Sequence, residues 1–294
     1  MDYMELIKRS LANAWKYKFL WFFGFFVAAA DSMTSLHWQV DQDDLEKWDL
    51  DRFGDINIEP AVIGLIILAV LAVAIVFWIM SVLCEGSLIH GITRKEQGQQ
   101  VTFGDCWTAG ADRFLRLFVI MFLATVAVIA SVITLLVIIV PSYFAFLGLG
   151  ILLTLVALPV LIALILVVVG VEGWAIRFAV LYNQPWLDAI GHGWNLFKAN
   201  IGATMGVAFS SLLTQLALWC ALVVALVLVA VPFVVVGMAM SWVALVPGVA
   251  LGLAILILAS AYFGTFASSI WTLGFMRLTQ YGVAQPVAAP SSVG

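Results

Sequence analysis

Charged side chains are scarce in this sequence, and two long stretches have none. Asp, Glu, Lys and Arg make up 10% of the 294 residues, against about 25% in soluble domains. Residues 117–171 and 199–276 contain no charge, and hydrophobic residues form 64% of the chain. This composition excludes a soluble fold and predicts a multi-pass membrane protein.

Cysteine is also rare. The three cysteines, Cys84, Cys106 and Cys220, are an odd number, and none lies in the acidic segment described below. No disulfide framework is therefore indicated. We expect all three to be small apolar packing residues.

Motifs that would announce an activity are missing. The sequence has no P-loop, no glycine-rich dinucleotide turn and no Ser-His-Asp order. Its basic residues are too few and too dispersed for a nucleic-acid surface. No catalytic residue, cofactor, metal site or nucleic-acid partner is predicted, and the sequence does not by itself reveal the function.

Six hydrophobic segments are long enough to cross a bilayer, since a spanning helix needs about 20 apolar residues. Turn signals at Pro141-Ser142 and at Pro232 with Gly237 divide the later segments. The expected fold is an all-α, polytopic helical bundle in one domain over residues 1–282, followed by a disordered tail at 283–294. The predicted spans lie near 19–36, 61–84, 117–140, 146–170, 201–231 and 247–276.

The basic residues are unevenly distributed. Of 13 Lys and Arg residues, all but Lys47 and Arg52 lie outside the segment 31–59, which holds nine acids. Because Lys and Arg mark cytoplasmic loops, six spans place this acidic segment outside and both termini in the cytoplasm. We therefore expect a protein of a bacterial cytoplasmic (inner) membrane.

Cation binding is an open alternative at two places. Residues 49–59 alternate oxygen-bearing side chains as calcium loops do, but Phe53 stands where an EF-hand has a ligand, and Glu59 comes one residue early. His90 and His192 could join Glu85, Glu172 or Cys106 around a metal, yet their spacings match no ligand signature. For residues 49–59, an acidic loop outside the membrane without a bound cation is the simpler expectation.

Two segments ahead of hydrophobic spans repeat one pattern. Each follows a Glu-Gly pair, Glu85-Gly86 or Glu172-Gly173, and residues 5–16 form a weaker third copy. We predict three pseudo-repeated hairpins, each preceded by an interfacial amphipathic helix. The repeated positions are Phe103 and Trp186, Asp105 and Asp188, Gly110 and Gly193, and Phe114 and Phe197.

This pattern resembles a loose superfamily of bacterial six-span membrane proteins. The run 18–24 (Lys-Phe-Leu-Trp-Phe-Phe-Gly) entering the first span, and acid-Gly-Phe-base helices before each hairpin, are similar to the membrane domain of some glycerophosphoryl diester phosphodiesterases and to YciC-like proteins. The resemblance covers nearly the whole chain and implies a six-helix membrane fold. It does not imply phosphodiesterase activity, because the sequence contains no soluble phosphodiesterase domain.

Glu85 and Glu172 are the most informative polar residues. A carboxylate near the carboxyl end of a helix opposes the helix dipole by about 0.3 to 1 kcal/mol and therefore needs a partner. We expect a structural clamp to a base on an amphipathic helix, with a substrate or proton site as the alternative. The candidate bases are Arg113, Arg116, Arg177 and Lys198.

The expected function is that of a non-enzymatic scaffold or accessory subunit, organising lipids or partner proteins in the bilayer, a second copy included. The predicted spans contain few polar groups, and this scarcity favours a scaffold or accessory subunit. The alternative is a transporter or lipid-handling permease with a path at the centre of the hairpins, and an intramembrane enzyme comes third.

Residues 1–30 resemble a cleavable signal peptide, since basic residues precede an apolar run that ends in three alanines. We expect them to be retained, because residues 5–16 match the repeat. Intact mass measurement tests this, and a chain beginning at Asp31 would refute it.

The predicted topology is tested by single cysteines placed at Asp43 and at Gln99 in a cysteine-free background. An impermeant reagent applied to intact cells should label the first and spare the second. Equal labelling of both sites would contradict six spans with cytoplasmic termini.

Overall fold

The computed structural model describes residues 2–35, 60–239 and 245–280. Over these ranges the chain is all-α, as predicted, and contains no strand. Residues 36–59 of the acidic segment and the predicted tail lie outside the described residues. The helices are α1 Tyr3–Lys16, a 3-10 turn Lys18–Leu20, α2 Trp21–Ser35, α3 Pro60–Glu96, α4 Phe103–Ala145, α5 Leu147–Leu181, α6 Trp186–Ala199, α7 Ile201–Ala239 and α8 Leu245–Thr279.

Five described helices, α3, α4, α5, α7 and α8, are long and apolar enough to cross a membrane. They contain 35 to 43 residues. At 1.5 Å per residue they reach about 52 to 65 Å, well beyond a hydrocarbon core of about 30 Å. The apolar helix α2, with 15 residues, is shorter.

Each long helix is buried along one part and exposed along the rest. The exposed parts, at 62–80, 121–144, 147–169, 212–235 and 246–260, are almost wholly apolar. Such surface suits lipid rather than water. The other parts pack together with α1, the 3-10 turn, the start of α2 and α6; we call this region, residues 2–27, 81–120, 170–211 and 261–279, the packed end.

Helices adjacent in the chain lie side by side, α2 with α3, α4 with α5 and α7 with α8. In addition, α2 packs against α8 and α3 against α4. The order around the bundle is therefore α5, α4, α3, α2, α8, α7. Helix α1 lies on α8, and α6 lies on α5.

The predicted proline turns do not end their helices. Pro141 lies inside α4, which breaks at Phe146, where the backbone is extended (φ −161°, ψ 121°). Pro232 lies inside α7, which continues to Ala239. In lipid the backbone has no water to bond, so a helix that continues past a proline satisfies more groups than an early loop.

The three predicted amphipathic helices differ from one another. The segments at α1 and α6 are separate helices, and the residues that cap their carboxyl ends, Tyr17 (φ −106°, ψ 67°) and Asn200 (φ −136°, ψ 42°), leave the helical conformation. The middle segment was wrongly expected to be separate. It runs into α4 without a break, because the good helix formers Leu115 and Arg116 join the two parts.

A capping box fixes the start of α4. Thr102 N donates to Asp105 Oδ2 at 2.9 Å, and Asp105 N donates to Thr102 Oγ1 at 3.3 Å. Asp188 lies in the first turn of α6. Both repeated aspartates therefore stand where a helix dipole favours an acid.

Glycines allow the closest helix crossings. A Cβ on Gly110 of α4 would lie 2.5 Å from Leu83 O of α3, and a Cβ on Gly193 of α6 would lie 2.9 Å from Val171 O of α5. The repeated glycine thus has one packing role in both copies. On α8, a Cβ at Gly264 would overlap the carbonyl oxygen of Gly24 on α2.

Gly264→Ala should destabilise the protein by about 1 to 3 kcal/mol, because the added methyl group forces α2 and α8 apart. Gly252→Ala is the matched control on α8, where nothing lies within 4 Å of an added Cβ. It should be neutral or gain about 0.5 to 1 kcal/mol of helix stability. Thermal unfolding in detergent measures both, and equal midpoints would contradict the crossing.

Candidate functional site

Glu85 of α3 and Arg177 of α5 form a buried ion pair within the packed end. Arg177 Nη2 donates to Glu85 Oε1 at 3.1 Å. Ser268 Oγ of α8 donates to the same oxygen at 3.2 Å. Glu85 is 7% exposed and Arg177 3% exposed, so three helices meet at one desolvated carboxylate.

The guanidinium of Arg177 has further partners. Its Nη1 donates to Gly173 O, one turn earlier on α5, at 2.8 Å. Its central carbon lies 5.9 Å from the ring centroid of Trp271 on α8, within the range of a cation–π contact. Its Nε has no hydrogen-bond partner among the described residues.

Both Glu-Gly pairs bring a neighbouring helix close. A Cβ on Gly86 would lie 3.4 Å from Gly110 Cα of α4, and a Cβ on Gly173 would lie 3.0 Å from the Trp271 ring of α8. The missing side chains therefore let α4 approach α3 and let the indole cover Arg177.

The partner of Glu85 corrects one detail of the expected clamp. Arg177 is not on an amphipathic helix but near the carboxyl end of the spanning helix α5. That helix runs to Leu181, eleven residues beyond the predicted span. The extension carries Arg177 into the packed end, opposite Glu85.

Of the other predicted residues, Glu172 acts electrostatically on Arg177, whereas Arg113, Arg116 and Lys198 make contacts elsewhere. Glu172 is half-buried and lines an apolar cavity of about 260 Å³ between α4, α5 and α6. Arg113 Nη1 donates to Ala109 O at 3.0 Å, and Arg116 Nη1 donates to Asn183 Oδ1 at 2.6 Å. Lys198 Nζ lies 5.1 Å from the Trp194 ring centroid.

Sequence reasoning did not identify the ion pairs that anchor α1. Arg9 Nη2 lies 3.5 Å from Glu96 Oε2 at the end of α3. Arg277 Nη2, at the end of α8, lies 3.0 Å from Glu5 Oε2. These pairs bring α1 and residue 277 to the same end of the bundle, and no local pattern in the sequence indicates them.

The described residues contain no group of three His, Cys, Asp or Glu side chains placed to hold a metal ion. His192 Nδ1 is instead 2.8 Å from Asp188 O on its own helix. Cys84 and Cys106 are buried free thiols.

Comparisons of the chain with protein-family models, with curated proteins and with solved structures give no match.

Glu85→Gln should lower the free energy of unfolding by about 3 to 5 kcal/mol, because it leaves the buried Arg177 charge without its partner. Glu85→Gln combined with Arg177→Met should cost less than the sum of the two single changes. The control is Glu5→Gln, in an exposed pair with Arg277, which should cost about 0 to 1 kcal/mol. Additive losses in detergent unfolding would contradict the pairing.

Proposed function

We propose that this chain is a non-enzymatic scaffold or accessory subunit of a bacterial cytoplasmic membrane, which organises lipids or partner proteins around the packed end. The observation that carries the proposal is the apolar surface of the described lipid-facing helices, whose Ser and Thr hydroxyls are already hydrogen-bonded within the protein. The bilayer itself is the partner that five apolar helices require.

Ser and Thr hydroxyl groups in the lipid-facing parts donate back to their own helices, and the Tyr143 hydroxyl of α4 shares a hydrogen bond with Thr154 Oγ1 of α5 at 2.9 Å. Such bonds satisfy each donor locally and present little polarity to a solute. The donor and acceptor pairs are Thr125 to Met121 O, Ser131 to Ala127 O, Thr134 to Ala130 O, Thr154 to Gly150 O and Ser260 to Leu256 O.

A cavity of about 240 Å³ between α7 and α8 supports the same reading. Its walls include Leu226, Phe233 and Val249, and every residue that lines it is apolar. A path for a polar solute would need donors or acceptors at this depth. The cavity offers none from its side chains.

The proposed architecture has six spans in three hairpins. The apolar stretch Lys18–Ala30 is shorter than the five long helices, and it is proposed as the sixth span because α2 packs between α3 and α8. The packing of α2 on α3, α4 on α5 and α7 on α8 supports the three hairpins. So does the resemblance to the six-span superfamily, to which we propose this chain belongs.

We propose that the packed end faces the cytoplasm and that both chain termini lie on the same side. It carries 11 of the 13 Lys and Arg residues, and such residues accumulate on the cytoplasmic side. Ion pairs join α1 to the ends of α3 and α8 there. A partner, whether another membrane protein or a second copy, would meet the apolar faces beyond this end.

A lipid-handling permease is the second candidate, and one observation favours it. Glu172 places a carboxylate in an otherwise apolar cavity between α4, α5 and α6. An acid at this depth is a common element of transport sites.

Reconstitution into liposomes separates the two functions. The scaffold predicts no lipid scrambling and no solute flux above protein-free vesicles, for the wild-type chain and for Glu172→Gln alike. Native membranes extracted into polymer nanodiscs should show a lipid class or a stoichiometric protein enriched over the bulk membrane. Scrambling by the wild-type chain that Glu172→Gln abolishes would contradict the scaffold and establish the permease.

A further inference from the structure

A second polar site lies in the packed end, apart from the Glu85–Arg177 pair. It is a cavity of about 240 Å³ where the end of α3, the start of α4 and the end of α5 meet. This volume is far above the roughly 10 to 15 Å³ that one water needs. The lining residues are His90, Thr93, Arg94, Gln97, Arg113, Val180 and Leu181.

Two of its residues carry polar atoms without a partner. Thr93 is 3% exposed, and its Oγ1 has no hydrogen-bond partner among the described residues. The same holds for Arg113 Nε, although Arg113 Nη1 donates to Ala109 O. Buried donors left unsatisfied cost about 1 to 3 kcal/mol each, so two at one cavity indicate a missing acceptor.

The charge of the lining selects an anion. Two guanidinium groups, which stay protonated in proteins, face the cavity from α3 and α4, and no carboxylate lines it. Asp105 and Asp112, the acids nearest to Arg113 along α4, are exposed and are not part of the wall. Arg94 is exposed and donates to Gln99, so Arg113 and Thr93 form the fixed part of the site.

We propose that this cavity binds a phosphoryl group, either the headgroup of an anionic phospholipid or a free phosphate ion. A guanidinium matches phosphoryl oxygens with paired donors, and the Thr93 hydroxyl adds a third donor. Val180 and Leu181 supply an apolar wall beside the polar one. The site does not depend on the scaffold function, because it rests on separate residues.

The test measures binding by the purified chain in neutral detergent, by thermal shift and by native mass spectrometry. Probes are inorganic phosphate, with sodium chloride of equal ionic strength as its control, and phosphatidic acid, with diacylglycerol as its phosphate-free control. Either phosphoryl compound should raise the unfolding temperature above its control. Stabilisation by inorganic phosphate would show that a free phosphate ion is sufficient to occupy the cavity. Stabilisation by phosphatidic acid alone would identify the lipid headgroup as the ligand.

Two variants and a matched control locate the site. Arg113→Gln should weaken phosphoryl binding about tenfold or more, as loss of a charged hydrogen bond does. Thr93→Val should weaken it several-fold while leaving the ligand-free unfolding temperature unchanged or higher, because it removes an unpaired buried hydroxyl. Arg116→Gln, three residues from Arg113 and bonded to Asn183 outside the lining, should bind as the wild type does.

Thr93→Val preserves the shape of the side chain, so the site stays testable even if Arg113→Gln fails to fold. The proposal is overturned if neither probe binds the wild-type chain. It is equally overturned if Thr93→Val binds with wild-type affinity, which would mean that the phosphoryl group binds elsewhere on the chain.

Discussion

Neutralising the buried carboxylate of Glu85 is the constraint on which the packed end depends. An isolated charge among apolar helices is very costly, so a cation and further donors have to meet it. Arg177 supplies the cation from α5, and Ser268 supplies a hydroxyl from α8. These bonds fix the relative positions of α3, α5 and α8, and the glycine crossings then let α4 and α2 close in around them.

The packed end and the lipid-facing parts of the helices are stabilised by different interactions. In the packed end, charges and aromatic side chains are held in specific geometry, as at Arg177 beneath Trp271. Toward the other end the long helices expose apolar side chains that lipid can solvate without specific contacts. The ion pairs found among the described residues are accordingly gathered at one end, where the cavity at Thr93 and Arg113 also lies.

Much of this arrangement follows from local patterns in the sequence. Uncharged stretches located the helices, and the repeated segments located the starts of α4 and α6, whereas the crossings at Gly110 and Gly193 were not predicted. The need of Glu85 for a base was foreseen from the helix dipole. What could not be foreseen depends on helix lengths and on the register between helices. Arg177 became the partner because α5 extends past its apolar stretch, and the cavity forms from three helix ends that no periodicity brings together.

The most direct measurement is the distance between Glu85 and Arg177 in a lipid bilayer. Solid-state NMR on chains labelled at the Glu85 carboxyl carbon and the Arg177 guanidinium nitrogens reads this contact through their dipolar coupling. A resolved carbon–nitrogen coupling, as expected when Oε1 and Nη2 are 3.1 Å apart, is the predicted result. A coupling too weak to detect would show that the two charges are apart, and would contradict the account of how the packed end is held.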